Sequence, residues 1–236
     1  PMANMHLQGG QRSEHLITLD GAPIYNTFNI GRLFSIFSPF ALGDISVHKS
    51  GFDVEHGSQI SGVVAFNHAM NDSKENTTIL ETGPLSANLK GQYHIPVGDN
   101  GIQIMAALRS SLWDIYKEPN LQESLGEWNF IDPLITNQLK DFEADTRLFN
   151  PQRQRSDISF FDIHTAAKYQ INSYQTLTGS LYIGKSELGT KLLSQAPAFS
   201  DVPRFLFAQD AYRWDNTAMQ VSWNALLTPR LEIDIQ

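Results

Sequence analysis

Residues 85–112 run LSANLKGQYHIPVGDNGIQIMAALRSSL. Leu85, Ala87, Leu89, Gly91, Tyr93 and Ile95 are apolar or small, and Ser86, Asn88, Lys90, Gln92 and His94 fill the positions between them. Successive side chains on a strand point to opposite faces, so this stretch predicts a ribbon with one apolar and one polar side. A turn at 97–101, rich in Gly, Asp and Asn, leads into a second run. There Ile102, Ile104, Ala106, Leu108 and Leu112 face away from Gln103, Arg109 and Ser111. The pair reads as an antiparallel hairpin.

The pattern recurs downstream. Phe161, Ile163, Ala167, Tyr169 and Ile171 alternate with Asp162, His164, Lys168 and Gln170. After Asn172-Ser173, Leu177, Gly179, Leu181 and Ile183 alternate with Thr176, Thr178 and Ser180. Met219, Val221, Trp223, Ala225 and Leu227 oppose Asn216, Gln220, Ser222 and Asn224. Beyond Thr228-Pro229, Leu231, Ile233 and Ile235 oppose Glu232, Asp234 and Gln236.

The expected fold class is therefore mostly β, with about six antiparallel up-and-down strands after residue 77. Connections at 97–101, 172–173 and 228–229 are tight, and those at 117–156 and 189–212 are read as long loops. Outer-membrane barrels show this asymmetry, and roughly 9–11 residues per strand suffice to cross their apolar band. A soluble antiparallel sandwich alternates in the same way and stays open on pattern alone. Aromatic residues near the segment ends (Tyr93, Trp113, Tyr116, Tyr169, Tyr174, Tyr182 and Trp214) are expected to form an interfacial girdle.

Composition narrows the function classes. With 17 basic against 25 acidic residues the formal charge is -8, which argues against nucleic acid as a partner. Cysteine is absent, so no disulfide framework or thiolate metal site exists. No run of about 18 apolar residues is present, which excludes a helical span but not a barrel. Histidines 6, 15, 48, 56, 68, 94 and 164 are scattered without ligand spacing, so no metal or other cofactor is expected. No serine sits in a Gly-x-Ser-x-Gly elbow, and Gly9-Gly10 leads into Gln11-Arg12 rather than a phosphate cradle. An enzyme is not expected, and no residue is assigned a catalytic role.

The N-terminal part carries an ordered set of short motifs: Leu19-Asp20-Gly21 with Pro23, Asp44-Ile45, Lys49-Ser50-Gly51-Phe52, His56-Gly57 and Ile60-Ser61-Gly62-Val63-Val64. In this the chain resembles the second half of the plug domain of TonB-dependent outer-membrane receptors of the Bacteroidetes kind. The resemblance implies that residues 1–70 are the C-terminal part of a plug, 71–76 a linker and 77–236 the first strands of an incomplete transmembrane β-barrel. It marks Asp20, Gly21, Lys49, Gly51, Gly57, Ser61 and Gly62 as plug-motif residues. One departure is Gly57-Ser58-Gln59, where the family often has Gly-Gly-Arg.

What the resemblance implies about function is import of a solute (a nutrient, siderophore or oligomer) across the outer membrane of a Gram-negative cell. The plug would rearrange under force from the TonB complex, driven by the inner-membrane proton gradient. Partners would be that complex, the solute, outer-membrane lipid and, in the nutrient-importing subgroup, a surface lipoprotein lid. Candidate ligand contacts are Tyr25, Asn26, Phe28 and Arg32 in a loop-rich plug segment, and Trp113, Tyr116, Trp128 and Trp214 in or beside the long loops. Residues 38–42 are expected to form one helical turn. Arg109, Asp162, His164 and Lys168 are expected to line the lumen or pair with the plug. The chain opens at Pro1 without a signal peptide, and single-chain barrels start at eight strands, so a piece of a longer protein is expected. Alternatives are a surface-display barrel without transport and a soluble β-sandwich binding module.

Overall fold

The computed structural model describes residues 15–25, 28–29, 34–49, 62–70, 75–97, 100–113, 150–195, 205–228 and 231–235. The regular elements among them are strands, so the mostly-β expectation holds, and the larger sheet is antiparallel throughout. Strands β1 (His15–Leu19), β2 (Ala22–Pro23), β5 (Leu42–His48) and β6 (Gly62–His68) form a small sheet in the order β2-β1-β6-β5. Within it β1 runs parallel to β6, and the other pairs are antiparallel. Strands β3 (Phe28–Asn29) and β4 (Phe34–Ser35) pair only with each other. The larger sheet comprises β7 (Thr77–Thr82), β8 (Ser86–Val97), β9 (Asn100–Ser111), β10 (Asn150–Asn172), β11 (Gln175–Gln195), β12 (Phe205–Thr228) and β13 (Leu231–Ile235). Its spatial order is its sequence order, an up-and-down meander.

Local chemistry explains the first hairpin. Asp20 and Gly21 adopt φ values of 48° and 90°, as a two-residue loop whose twist matches its flanking strands requires. Asp and Gly enter that region at little steric cost. Gly62 opens β6 at φ 151°, another conformation that side chains resist.

The two faces of the large sheet differ in polarity, and the covered face is the one that carries the buried polar and charged groups. Leu80, Leu89, Tyr93, Ile95, Leu108, Phe161, Met219 and Val221 stand exposed on one side, Met219 to 71% and Leu80 to 69%. On the other side Asn88, Gln92, Arg109, Asp162, His164 and Ser186 are buried together with Met105, Ala107, Ile158, Phe160, Ala166 and Tyr182. A soluble sandwich places its apolar face inward. Here that arrangement is inverted.

Packing between the sheets centres on Phe37. Its ring lies 5.2 Å from that of Phe66 and 5.4 Å from that of Tyr182, within a cluster of Ile17, Leu19, Ile24, Ile36, Val64 and Tyr182. Burying a side chain of this size contributes about 1.5–3 kcal/mol. Beside it Ala41 packs with Met105, Ala107 and Ala166, and the three alanines leave room for the longer Met105 side chain.

Several expectations need correction. Strand β7 was not legible, because Thr77-Thr78-Ile79-Leu80 breaks the period of two. Strands β10, β11 and β12 reach 23, 21 and 24 residues, well beyond the 9–11 expected, and extend through much of 189–212. Pairs such as Leu192-Leu193 and the run Phe205-Leu206-Phe207 lack alternation, so the ladder there is carried by backbone hydrogen bonds that side chains do not encode. Residues 38–41 make a single turn closed by Ala41 N–H to the Ser38 carbonyl at 3.0 Å, not a turn of helix. Tyr182 and Trp113 are buried and belong to no exposed girdle, whereas Tyr93 and Tyr174 are exposed.

Candidate functional site

Strand register assembles the site. On the polar face, Asn88, Arg109, Asp162 and Gly184 stand opposite one another across β8 to β11. The next row holds Lys90, Ala107, His164, Tyr182 and Ala218. Alternation along each strand puts both rows on the same side. Arg109 Nε donates to Asp162 Oδ2 at 2.6 Å, and both side chains are nearly excluded from solvent. Such a pair resists disruption because either charge alone would be stranded.

Three of these side chains hold one short segment. Arg109 Nη2 donates to the Ser35 carbonyl at 2.9 Å, and Tyr182 OH donates to the Ile36 carbonyl at 3.1 Å. The Ser38 N–H donates to His164 Nε2 at 3.4 Å. Tyr182 reaches Ile36 by lying over Gly184, where a Cβ would fall 2.2 Å from the tyrosine oxygen. Lys90 adds a contact from β8, donating to the Ala69 carbonyl at 3.2 Å.

The small sheet answers with Asp20 and His68. The His68 backbone N–H donates to Asp20 Oδ1 at 2.9 Å, and its ring Nδ1 pairs with Oδ2. Ring Nε2 of His68 then lies 3.0 Å from Nδ1 of His164. Donor arithmetic fixes the direction of this chain. His164 Nε2 accepts from Ser38, so its Nδ1 carries the hydrogen and donates to His68. His68 Nε2 therefore accepts, and its Nδ1–H donates to the Asp20 carboxylate. Both imidazoles are neutral in this arrangement. Burial pushes the Asp20 carboxyl up, but hydrogen bonds from His68 and Ser180 outweigh it and hold the group below the usual carboxylate range.

Next to the Asp20 turn the two sheets enclose a polar hollow of about 330 Å³. Thr18, Asn67, Thr178, Ser180, Gln220 and Ser222 surround it together with Asp20. The chain of imidazoles ends on the Asp20 carboxylate and the Ser38 backbone.

Of the residues singled out in the sequence, Asp20 and Gly21 lie at this interface, and Gly62 begins the strand that carries His68. Arg109, Asp162 and His164 meet the small-sheet segment through Ser35, Ser38 and His68. Lys49 is exposed just after β5, Tyr25 is exposed, Trp113 is buried and Trp214 is half-buried. Phe28 lies on β3. Asn26, Arg32, Gly51, Gly57, Ser61, Tyr116 and Trp128 lie outside the described residues. Sequence reasoning missed His68 and the docking role of Tyr182. Tyr182 was expected in the girdle, and nothing local pairs it with Ile36, 146 positions away, or His68 with His164, 96 positions away.

No protein-family model matches the chain, and no curated protein or solved structure matches it either.

Proposed function

We propose that the chain is part of a TonB-dependent outer-membrane transporter: the large sheet is a stretch of barrel wall, and the small sheet with residues 34–41 belongs to the plug. One observation carries this reading. Leu80, Leu89, Leu108, Phe161, Met219 and Val221 stand exposed on the apolar face of the seven-stranded meander, while the face that holds Arg109, Asp162 and His164 is the one covered. In a barrel the outer face meets lipid and the lumen is polar. The 12-residue strands β8 and β9 rise roughly 40 Å, or about 30 Å along the membrane normal when tilted by about 40°, enough to cross the apolar band. The buried Arg109–Asp162 pair and the histidine chain then act as contacts between wall and plug. Transport follows as displacement of that plug by the TonB complex, with Asp20, Gly21 and Gly62 in its motif positions and no chemistry catalysed.

Single tryptophans introduced at Leu89, Leu108 and Val221 of the full-length protein in bilayers test this. Quenching of all three by brominated lipid tails is expected. Quenching by aqueous iodide alone would contradict the reading and favour a soluble sandwich.

A further inference from the structure

We propose that the His68–His164 pair is a proton-operated latch that holds residues 35–38 against the large sheet. The proposal rests on the plug-and-wall reading above and adds a regulation to that same interface. Its geometry leaves no ring nitrogen idle. Ser38 N–H donates to His164 Nε2, His164 Nδ1–H to His68 Nε2, and His68 Nδ1–H to Asp20. An added proton must therefore replace one of these bonds.

Two nitrogens accept in this chain, His68 Nε2 and His164 Nε2. A proton on the first would set two N–H groups against each other across 3.0 Å. A proton on the second finds a waiting partner. Asp162 Oδ1 lies 3.5 Å away and is buried without a hydrogen-bond donor among the described residues. The proton comes from solvent, the Ser38 N–H···Nε2 bond breaks and an Nε2–H···Oδ1 bond forms. Nothing else is consumed.

The charged and titratable groups facing the pair are Asp20 from the β1–β2 turn, Asp162 from β10, Arg109 from β9, Lys90 from β8 and Tyr182 from β11. Two carboxylates face two cations, so the added charge changes a balanced site to a positive one. The new bond uses Asp162 Oδ1 while Arg109 keeps Oδ2 and the Ser35 carbonyl, so the release falls at Ser38. Histidine is suited to this because its unperturbed charge change falls between about pH 5 and 8, and a ring buried beside Arg109 takes its proton toward the acid end of that range.

Hydrogen exchange of a peptide covering Ser35 to Ala41, in the full-length protein in bilayers, tests the latch. Corrected for intrinsic chemistry, exchange is expected to rise roughly tenfold between about pH 7.5 and about pH 5. His164→Gln can still accept from Ser38 but takes no proton, so its segment should stay protected at both values. Asp162→Asn keeps an oxygen but removes the carboxylate charge that favours the protonated ring, so where its exchange at about pH 7.5 matches wild type the step should move to lower pH. Unchanged wild-type exchange, or an equal step in His164→Gln, would overturn the latch. If His164→Gln does not fold, a wild-type rise that is equal in a peptide covering β8, away from the segment, would do the same. Lipid quenching on the same sample reports separately on the wall reading, so the two failures are distinguishable.

Discussion

His164 and Tyr182 stand opposite each other on β10 and β11, their rings 4.6 Å apart, and each binds the backbone of the segment at 36–38. This cross-strand pair thus ties the segment that leads into β5 to the large sheet. The neighbouring row supports it through the Arg109–Asp162 pair.

Removing Arg109 alone is predicted to be costly. Arg109→Leu leaves Asp162 buried without its cation and should destabilise the protein by about 3–5 kcal/mol. The double substitution Arg109→Leu with Asp162→Leu should recover much of that loss. Urea unfolding in bilayers or detergent, run as a double-mutant cycle, measures both.

Gly184→Ala tests the Tyr182 anchor. The added methyl would occupy the place of the tyrosine oxygen, so the ring must move and give up its bond to Ile36. A cost of about 1–3 kcal/mol is expected from overpacking. Tyr182→Phe keeps the ring and strands only the buried carbonyl, at about 1–3 kcal/mol. Equal exchange of residues 35–38 in both variants and wild type would contradict the anchor.

Asp20 sets an acid limit distinct from any histidine step. Its carboxyl is held below the usual range in the folded state, so its contribution is complete above the unfolded value of about 3.9. That contribution is lost as pH falls through the lower folded value. Stability should therefore drop below about pH 4, and Asp20→Asn should flatten this limb while lowering stability at neutral pH. An acid unfolding titration of the two proteins checks the sign.

Much of this was legible in the sequence because period two is a local signal. The alternation of Asn88, Lys90 and Gln92, and of Asp162 and His164, separated the polar face correctly, and Asp20-Gly21 announced its hairpin. What the alternation left open was which face is covered. Hydrophobicity alone favours burying the apolar one, and a solvent of lipid reverses that preference. The join of His68 to His164 depends on parallel pairing of β1 with β6 and on docking between sheets, neither of which has a local signature. The extended ends of β10 to β12 escaped for a related reason, since backbone ladders persist where side chains stop alternating.

Met219→Arg is the substitution to make first. Met219 points away from the small sheet, and its ladder row runs through Leu181, Thr165 and Ala106 in the middle of β9. If that face meets lipid, an arginine near the bilayer midplane should cost about 2–4 kcal/mol in unfolding measured in bilayers. A change within about 0.5 kcal/mol, as is usual for an exposed position in water, with the protein soluble without detergent, would contradict the barrel-wall account.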